Sequence, residues 1–280
     1  MQISAVIPSY NREHSLRRAL ASVYQQTSPA DEVIVVDDGS TDGSCSGLER
    51  DFPGLRVLRQ PHRGVSAARN RGIVEARHDW IALLDSDDCW LPQKLERLRN
   101  AARSNPDFTL YHSDEIWIRD GVRVNPMHKH RKHGGWIFQR CLPLCAISPS
   151  TVLMRKSTLL ELGLFDETLP ACEDYDLWLR LCHRYPVHFV DEAMVTRYGG
   201  HDDQLSRQHP LMDRFRVRSL ARLLDAERLQ PEDFAAAREM LLGKLDILLK
   251  GAHKHDNRAV IEEFEPLRQR WRSEAGKLAC

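Results

Sequence analysis

The sequence lacks several features that mark whole classes of protein. Its 40 Lys and Arg residues balance its 40 Asp and Glu residues, so no bulk charge favours a nucleic-acid partner. No apolar run approaches the roughly 18 residues of a membrane span, and the opening MQISAVIPSYNR does not have the pattern of a signal peptide. The seven cysteines are scattered and odd in number, which is typical of reduced thiols. We therefore expect a soluble, cytoplasmic protein that binds no nucleic acid.

The first hundred residues predict an α/β unit. Short apolar runs alternate there with stretches of helical period, a pattern that indicates a mostly parallel sheet flanked by helices, with right-handed crossovers. The predicted strands are 3–7, 33–36, 55–58 and 80–84. The predicted helices are about 12–25, 43–50, 65–76 and 92–103. The chain of 280 residues is long enough for one large domain, or for one domain with an appendage.

After about residue 105 the pattern changes. Short runs that favour antiparallel strands come first, and a charged helical region begins near residue 210. The predicted strands are 108–113, 116–118, 122–124, 150–155, 187–190 and 194–198, and the predicted helices are about 174–183, 211–226, 232–250 and 256–274. The basic, His-rich segment 127–135 is either a solvated loop or a contact for an anionic acceptor or the phosphates of a donor.

Polar side chains follow three of the predicted parallel strands, at the point where each strand ends. These segments are PSYN (8–11), DDGS (37–40) and DSDD (85–88). Ligands of such sheets bind beyond the carboxyl ends of the strands. A simple turn needs only one Asp or Asn before a glycine, and five carboxylates at one edge repel each other. We therefore expect a binding site that includes a cation.

The segment DSDD is the sharpest candidate for a metal site. Asp85 and Asp87, spaced Asp-x-Asp, can share one divalent ion and contact the ribose of a nucleotide, because Mg²⁺ and Mn²⁺ prefer oxygen ligands and keep positions open for phosphate. The alternative is a capped turn that leads into the following helix. The second pair of acids, Asp37 and Asp38, favours the metal site.

Three other segments allow two interpretations each. Arg69, in HRGVSAARNRG, belongs either to a helix that approaches a ligand or to an ordinary amphipathic helix. Glu173, Asp174 and Asp176 open a helix, where acids are normal partners of the helix dipole, or one of them is a general base. His201, after two glycines, is either a surface histidine or a ligand of a metal or phosphate.

Together these segments resemble the family 2 glycosyltransferases of the GT-A fold. The matches are VIPSYNR (6–12), VVDDGSTDGS (35–44), GVSAARNRG (64–72), LLDSDD (83–88), ELGLFDE (161–167) and EDYDLWLR (173–180). The resemblance implies a catalytic domain at 1–208, with a nucleotide-binding half at 1–104 and an acceptor half at 105–208. The region 209–280 would then be a C-terminal helical extension.

The resemblance also implies the chemistry and the roles of single residues. The donor would be a nucleotide-diphospho-sugar, with a UDP-sugar expected, the cofactor Mn²⁺ or Mg²⁺, and the acceptor a glycan or lipid-linked hydroxyl whose attack inverts the anomeric centre. Nucleotide contacts would fall on Pro8, Tyr10, Asn11, Asp37, Asp38, Arg69, Asp85 and Ser86. Metal contacts would fall on Asp87, Asp85 and His201. Asp174 would be the catalytic base with Glu173 beside it, and Asp38 would read the nucleobase while Asp37 supports its loop.

Processive members carry a Gln-x-x-Arg-Trp motif, which this sequence lacks. We therefore expect transfer of a single sugar, in the synthesis of cell-surface polysaccharide or another glycan. Two rivals stay open. A sugar-phosphate nucleotidyltransferase should have a Gly-rich phosphate loop near the N-terminus, where SYNREHS has no glycine, and a non-catalytic nucleotide-sugar or carbohydrate-binding module would have little reason to keep both Asp87 and Asp174.

The helices after about residue 210 carry apolar stripes beside many arginines. Such a stripe is formed by Leu211, Phe215, Leu220 and Leu224. It suits packing against another protein surface better than spanning a bilayer. We expect these helices to pack against the catalytic half, with self-association next and peripheral contact with the inner face of the membrane as the remaining alternative.

Overall fold

The computed structural model describes residues 1–125, 127–200, 209, 211–226 and 228–273. The strands are β1 Ile3–Ser9, β2 Glu32–Asp37, β3 Leu55–Arg59, β4 Trp80–Leu83, β5 Cys89–Trp90, β6 Leu110–Arg119, β7 Val122–Val124, β8 Leu153–Arg155 and β9 His188–Gly199. The α-helices are α1 Leu16–Tyr24, α2 Leu48–Asp51, α3 Val65–Glu75, α4 Lys94–Ser104, α5 Phe138–Cys141, α6 Lys156–Glu161, α7 Glu173–Cys182, α8 Asp213–Ala226, α9 Pro231–Lys254 and α10 Arg258–Ser273.

These strands form one mixed sheet with helices on both faces. Its order is β3-β2-β1-β4-β8-β6-β9-β5, and β7 pairs with β6. The pairs β1–β2, β2–β3 and β1–β4 are parallel, whereas β8 runs antiparallel between β4 and β6. The predicted α/β half with its parallel strands is therefore confirmed, and the carboxyl ends of β1, β2 and β4 lie side by side.

The second half of the sheet differs from the prediction. The runs 108–113 and 116–118 belong to one strand, β6, and the runs 187–190 and 194–198 belong to one strand, β9. The two long strands pair in parallel, with register shifts on either side of Asp114. A bulge interrupts the alternation of side chains without ending a strand, so the sequence pattern predicted separate strands. The predicted hairpin to β7 is antiparallel, as expected.

The sheet separates two apolar cores because consecutive residues of a strand face opposite sides. In β1, Val6 packs into one core with Ile73 of α3, whereas Ile7 packs into the other with Leu20 of α1. Helix α3 lies especially close to the sheet: a Cβ on Gly72 would stand 2.4 Å from Val6 Cγ1. This contact fixes the height of α3, and therefore the place of its side chains, at the sheet edge.

The C-terminal helices pack against the sheet-bearing part of the chain, as expected. Phe215 of α8, Leu241 of α9 and Trp271 of α10 belong to the same apolar core as Trp178 of α7. The ammonium of Lys244 donates to the carbonyl of Pro143 and to Asp213, at 3.0 Å each. Among the described helices, none combines the length and apolar character that crossing a bilayer requires.

We expect one buried histidine to make the fold sensitive to acid. His112 of β6 is fully buried, and its Nε2 donates to the carbonyl oxygen of His133 at 2.9 Å. Burial, followed by the charge of Lys132, lowers the pKa of His112 to about 3. The unfolded state, in which a histidine titrates near pH 6.5, therefore binds more protons between about pH 6.5 and pH 3. The stability contribution of neutral His112 is lost as the pH falls through that window.

His112→Gln should make stability less dependent on pH, because Gln can donate the same hydrogen bond but does not titrate. Below about pH 6.5 the wild type should lose up to ~1.4 kcal/mol more per pH unit than the variant. Urea unfolding at pH 7, 6 and 5 measures this difference. Equal slopes for the two proteins would show that His112 does not cause the acid sensitivity.

Candidate active site

A cavity of about 1010 Å³ lies beyond the carboxyl ends of β1, β2 and β4. A volume near 1,000 Å³ is at the upper end for small-molecule sites. Its lining includes these sequence-predicted residues: Pro8, Tyr10, Asn11, Asp38, Arg69, Asp85, Ser86, Asp87, Glu173 and Asp174. Asp37 lies outside the lining and accepts a hydrogen bond from the Ser40 amide at 2.9 Å, so it supports the turn. His201 lies outside the described residues.

Asp38 organises the loop that leads into α3. Its buried carboxylate accepts hydrogen bonds from the backbone amides of Arg63 and Gly64, at 2.9 and 2.8 Å, and from Gln60 Nε2 at 2.7 Å. The loop comes so close that a Cβ on Gly39, where φ is +82°, would stand 2.9 Å from the His62 amide. Only glycine fits this position without strain.

Asn11 joins the end of β1 to the same loop region. Its amide donates to Ser40 Oγ at 3.0 Å, and its Oδ1 accepts from the Thr41 amide at 2.9 Å. It adopts a left-handed conformation, with φ at +50°, which Asn tolerates better than most residues. Tyr10, beside it, exposes 42% of its surface. This corner of the cavity therefore places a partly exposed aromatic ring next to a fixed carboxylate.

Arg69 bridges the two halves of the cavity. Its guanidinium is buried, with Nη2 at 2.6 Å from Asp85 and Nη1 at 2.6 Å from Glu173. Burial opposes its charge, but the two carboxylates more than compensate and raise the pKa of Arg69. Burial raises the pKa of Glu173, and the charge of Arg69 offsets this only in part. Both terminal nitrogens are thus engaged within the protein, and a direct nucleotide contact by Arg69 stays a prediction.

The acids of DSDD have different surroundings. Asp88 is buried and accepts from Ser150 Oγ at 2.6 Å and from the Tyr198 amide at 3.2 Å, so it ties the loop to β9. Burial, followed by the charges of Asp87 and Asp85, raises the pKa of Asp88 well above its usual range. All three acids border the cavity, but Asp85 and Asp87 are only half-buried.

These acids suit a divalent cation whose remaining coordination positions are filled by a bound diphosphate. The repulsion that Asp85 and Asp87 exert on Asp88 would be relieved by a positive ion. Within the described residues no group of three or more His, Cys, Asp or Glu side chains could hold a metal alone. Ions such as Mg²⁺ are commonly held by one or two carboxylates together with substrate phosphates, so one or two acids are sufficient.

Helix α7 carries two acids that line the cavity, Glu173 and Asp174. It begins at Glu173, after Cys172 in a left-handed conformation, and Leu177, Trp178 and Leu181 anchor it in the core, as predicted. Asp174 is half-buried, and its oxygens accept from the Tyr175 amide at 2.7 Å and from Cys145 Sγ at 3.0 Å. Asp176 turns away and pairs with Arg180 at 2.7 Å. Among the described residues, Asp174 is therefore the acid of α7 that faces the cavity without an arginine partner at salt-bridge distance.

Arg197 and Cys145 also line the cavity, and the sequence did not single them out. Arg197 lies on β9, with Nη1 at 3.9 Å from Glu115. Burial disfavours the charged form of Arg197. Nearby carboxylates outweigh this effect and raise the pKa of the arginine; they belong to Glu115, Asp88, Asp85 and Asp174. The one sequence signal for a role of Arg197 was its position inside an otherwise strand-like run, MVTRY. It adds a positive charge to an acidic cavity.

The sequence profile described as Glycosyl transferase family 2 matches residues 4–159, more than half of the chain. The chain belongs to this family. It is 31% identical over 181 residues to the Escherichia coli protein WfgD, named as a UDP-Glc:alpha-D-GlcNAc-diphosphoundecaprenol beta-1,3-glucosyltransferase, with 64% of this chain and 69% of WfgD covered. An uncharacterized glycosyltransferase of Rickettsia felis is 28% identical over 220 residues, with 74% of this chain covered but only 35% of the relative. A Haemophilus influenzae relative is 29% identical, with 64% of this chain and 61% of the relative covered.

Solved structures show the same GT-A fold. Residues 1–349 of S. aureus TarS in complex with UDP-GlcNAc give a TM-score of 0.71 at 20% identity, with 88% of this chain and 72% of that chain covered. The mannosyltransferase PcManGT from Pyrobaculum calidifontis, in complex with GDP-Man and Mn²⁺, gives 0.63 at 16% identity, with 96% and 84% covered. The predicted family and fold are thus confirmed, while the site residues of this family 2 chain stay predictions.

Arg69→Leu should destabilise the protein strongly, because Asp85 and Glu173 would lose their shared cation. Breaking a buried ion pair typically costs about 3–5 kcal/mol. Arg71→Leu on the same helix is the matched control, because Arg71 donates to the Arg59 carbonyl near the surface and should cost below ~1 kcal/mol. Chemical denaturation measures both. A similarly small loss for the two variants would contradict the role of the bridge.

Proposed function

We propose that this chain is an inverting glycosyltransferase that moves one sugar from a nucleotide-diphospho-sugar to an acceptor hydroxyl. One observation carries the proposal: a single cavity is lined by Tyr10 and Asp38 at one corner, Asp85 and Asp87 at the strand edge, and Asp174 at the start of α7. A nucleoside, a diphosphate with its counterion and a reacting hydroxyl need these three kinds of group next to one another.

The donor that suits the cavity is a nucleoside diphosphate sugar, and we expect a UDP-sugar. The ring of Tyr10 offers a stacking surface for a base, and Asp38 offers an acceptor for a base N–H. The names of similar proteins support this class of donor, because they mention UDP-Glc, UDP-GlcNAc and GDP-Man.

Asp87 and Asp85 would hold the divalent ion, with His201 as the further ligand expected from the sequence. When bound, Mn²⁺ or Mg²⁺ would neutralise the charge that develops on the departing diphosphate. The chain supplies charge of its own, because Arg197 lines the same cavity. A preorganised cation aimed at the place where charge develops stabilises the transition state.

Asp174 suits the role of general base. Each of its oxygens accepts one hydrogen bond from the protein, which leaves lone pairs for a proton from the acceptor. The buried anchors of α7 fix its direction, and an inverting displacement requires no protein nucleophile. Glu173, predicted beside it, is occupied by Arg69 at 2.6 Å, so we assign it to positioning rather than to proton transfer.

For the acceptor we propose the hydroxyl of a glycan, free or lipid-linked, in polysaccharide synthesis on the cytoplasmic side. The name of WfgD, which describes transfer to a sugar on a diphosphoundecaprenol carrier, supports this class. The nucleotidyltransferase and the binding module predicted as rivals gain no support from these relatives, which are named as glycosyltransferases.

Asp174→Asn should reduce turnover by about 10²- to 10⁴-fold, since the amide cannot accept a proton. Donor affinity should barely change, because the base acts on the acceptor. Steady-state kinetics and calorimetric titration with the nucleoside diphosphate measure the two effects.

The matched control is Asp176→Asn, which changes the same type of residue one half-turn along α7 but away from the cavity. It should keep turnover within a few fold if the protein is folded. Near-normal turnover in Asp174→Asn would remove Asp174 from the mechanism.

Asp87→Asn should abolish transfer that depends on Mn²⁺ or Mg²⁺, because the amide is a weaker ligand for a hard cation. Asp107→Asn, an exposed acid outside the cavity lining, is the control and should titrate with metal like the wild type. Initial rates over a metal concentration series give the result. Full wild-type activity in excess chelator would contradict metal dependence.

A further inference from the structure

The imidazole of His62 lies on the aromatic face of Tyr10. The two ring centroids are 3.9 Å apart and the planes are inclined by 23°, which is a stacked arrangement. Tyr10, His62 and Asp38 all line the cavity, at the corner where the proposed function places a nucleobase. With the rings this close, no base fits between them.

The same imidazole also contacts Asp38. Its Nδ1 lies 2.9 Å from Asp38 Oδ2 and 3.2 Å from the Asp38 carbonyl oxygen. Both neighbours are acceptors, so Nδ1 carries the hydrogen. His62 therefore stacks on Tyr10 and donates a ring N–H to the carboxylate at once. Uracil and guanine can make this same pair of contacts, because each has a ring N–H, whereas adenine and cytosine in nucleotides have none.

The bonds of Asp38 leave little room for a further donor. Two backbone amides and Gln60 already donate to its carboxylate, and His62 adds a fourth contact. A carboxylate has about four acceptor positions. The backbone donors hold the loop in place, but the His62 side chain is 54% exposed and can rotate outward without opening the core.

We propose that His62 occupies the nucleobase subsite in the donor-free protein, and that a base with a ring N–H must displace it in order to stack on Tyr10 and donate to Asp38. This inference rests on the proposed function. A site that is blocked part of the time binds its ligand more weakly, in proportion to the open fraction. His62 thus lowers donor affinity, and the contacts that it vacates on Tyr10 and Asp38 favour bases that can both stack and donate a ring N–H.

Calorimetric titration of wild type, His62→Ala and His62→Phe with UDP, GDP and ADP, in the presence of Mn²⁺, tests the proposal. His62→Ala should bind UDP or GDP about three- to tenfold more tightly than wild type, because the subsite is open. ADP, whose base has no ring N–H to donate to Asp38, should bind both proteins more weakly than UDP or GDP. His62→Phe should show no gain, because its ring can still stack on Tyr10.

Tighter binding of UDP or GDP by His62→Ala, but not by His62→Phe, supports the proposal. If the wild type binds UDP or GDP and His62→Ala binds them equally or more weakly, His62 is an ordinary base contact or has no role, and the inference falls while the proposed function stands. If no nucleoside diphosphate binds to either folded protein, both fall. In proton NMR of the wild type, the His62 ring signals should move on addition of the nucleotide that binds, as the ring leaves Tyr10. Unchanged signals at saturation would also overturn the proposal.

Discussion

The guanidinium of Arg69 lies buried between two carboxylates that belong to opposite walls of the cavity. Asp85 follows β4, and Glu173 begins α7. Removing three charges from water is costly, and such a group is stable only when its geometry is good and its partners are all present. The spacing between the strand edge and α7 is therefore fixed by one side chain. Asp87 and Asp174, the proposed metal ligand and base, are near neighbours of the two bridged acids.

Acids that are neighbours in the sequence have different surroundings and contacts in this structure. Asp37 stabilises a turn while Asp38 lines the cavity; Asp88 is buried against Ser150, while Asp87, which also lines the cavity, is only half-buried. The same holds for α7, where Asp176 pairs with Arg180 behind the site. Consecutive residues point in different directions in strands and helices, so a run of acids supplies both a ligand group and the supports of that group.

The sequence predicted the fold well where local signals agree with it. Apolar runs of 33–36 and 80–84 followed by acids marked parallel strands and their functional edge, and helical spacing in α7 marked its buried side. The prediction was wrong for β6 and β9, because the register shifts near Asp114 leave no signature in a single sequence.

The candidate site was predictable as a set of residues, but not as a set of contacts. Arg69 and Glu173 are 104 positions apart, and no local pattern reports that their side chains meet. The same is true of His62 on Tyr10 and of Cys145 beside Asp174, which depend on loops brought together by the sheet. Arg197 was missed because a strand pattern does not say which face will border a cavity.

The central claim is that this cavity binds and activates a nucleotide-diphospho-sugar. Incubating the folded chain with a panel of UDP- and GDP-sugars, with Mn²⁺ or Mg²⁺, and measuring release of the nucleoside diphosphate tests it most directly. The account predicts metal-dependent release from at least one of these donors, inhibited by the corresponding nucleoside diphosphate. Neither binding nor release with any donor of the panel, by a protein that is folded, would contradict it.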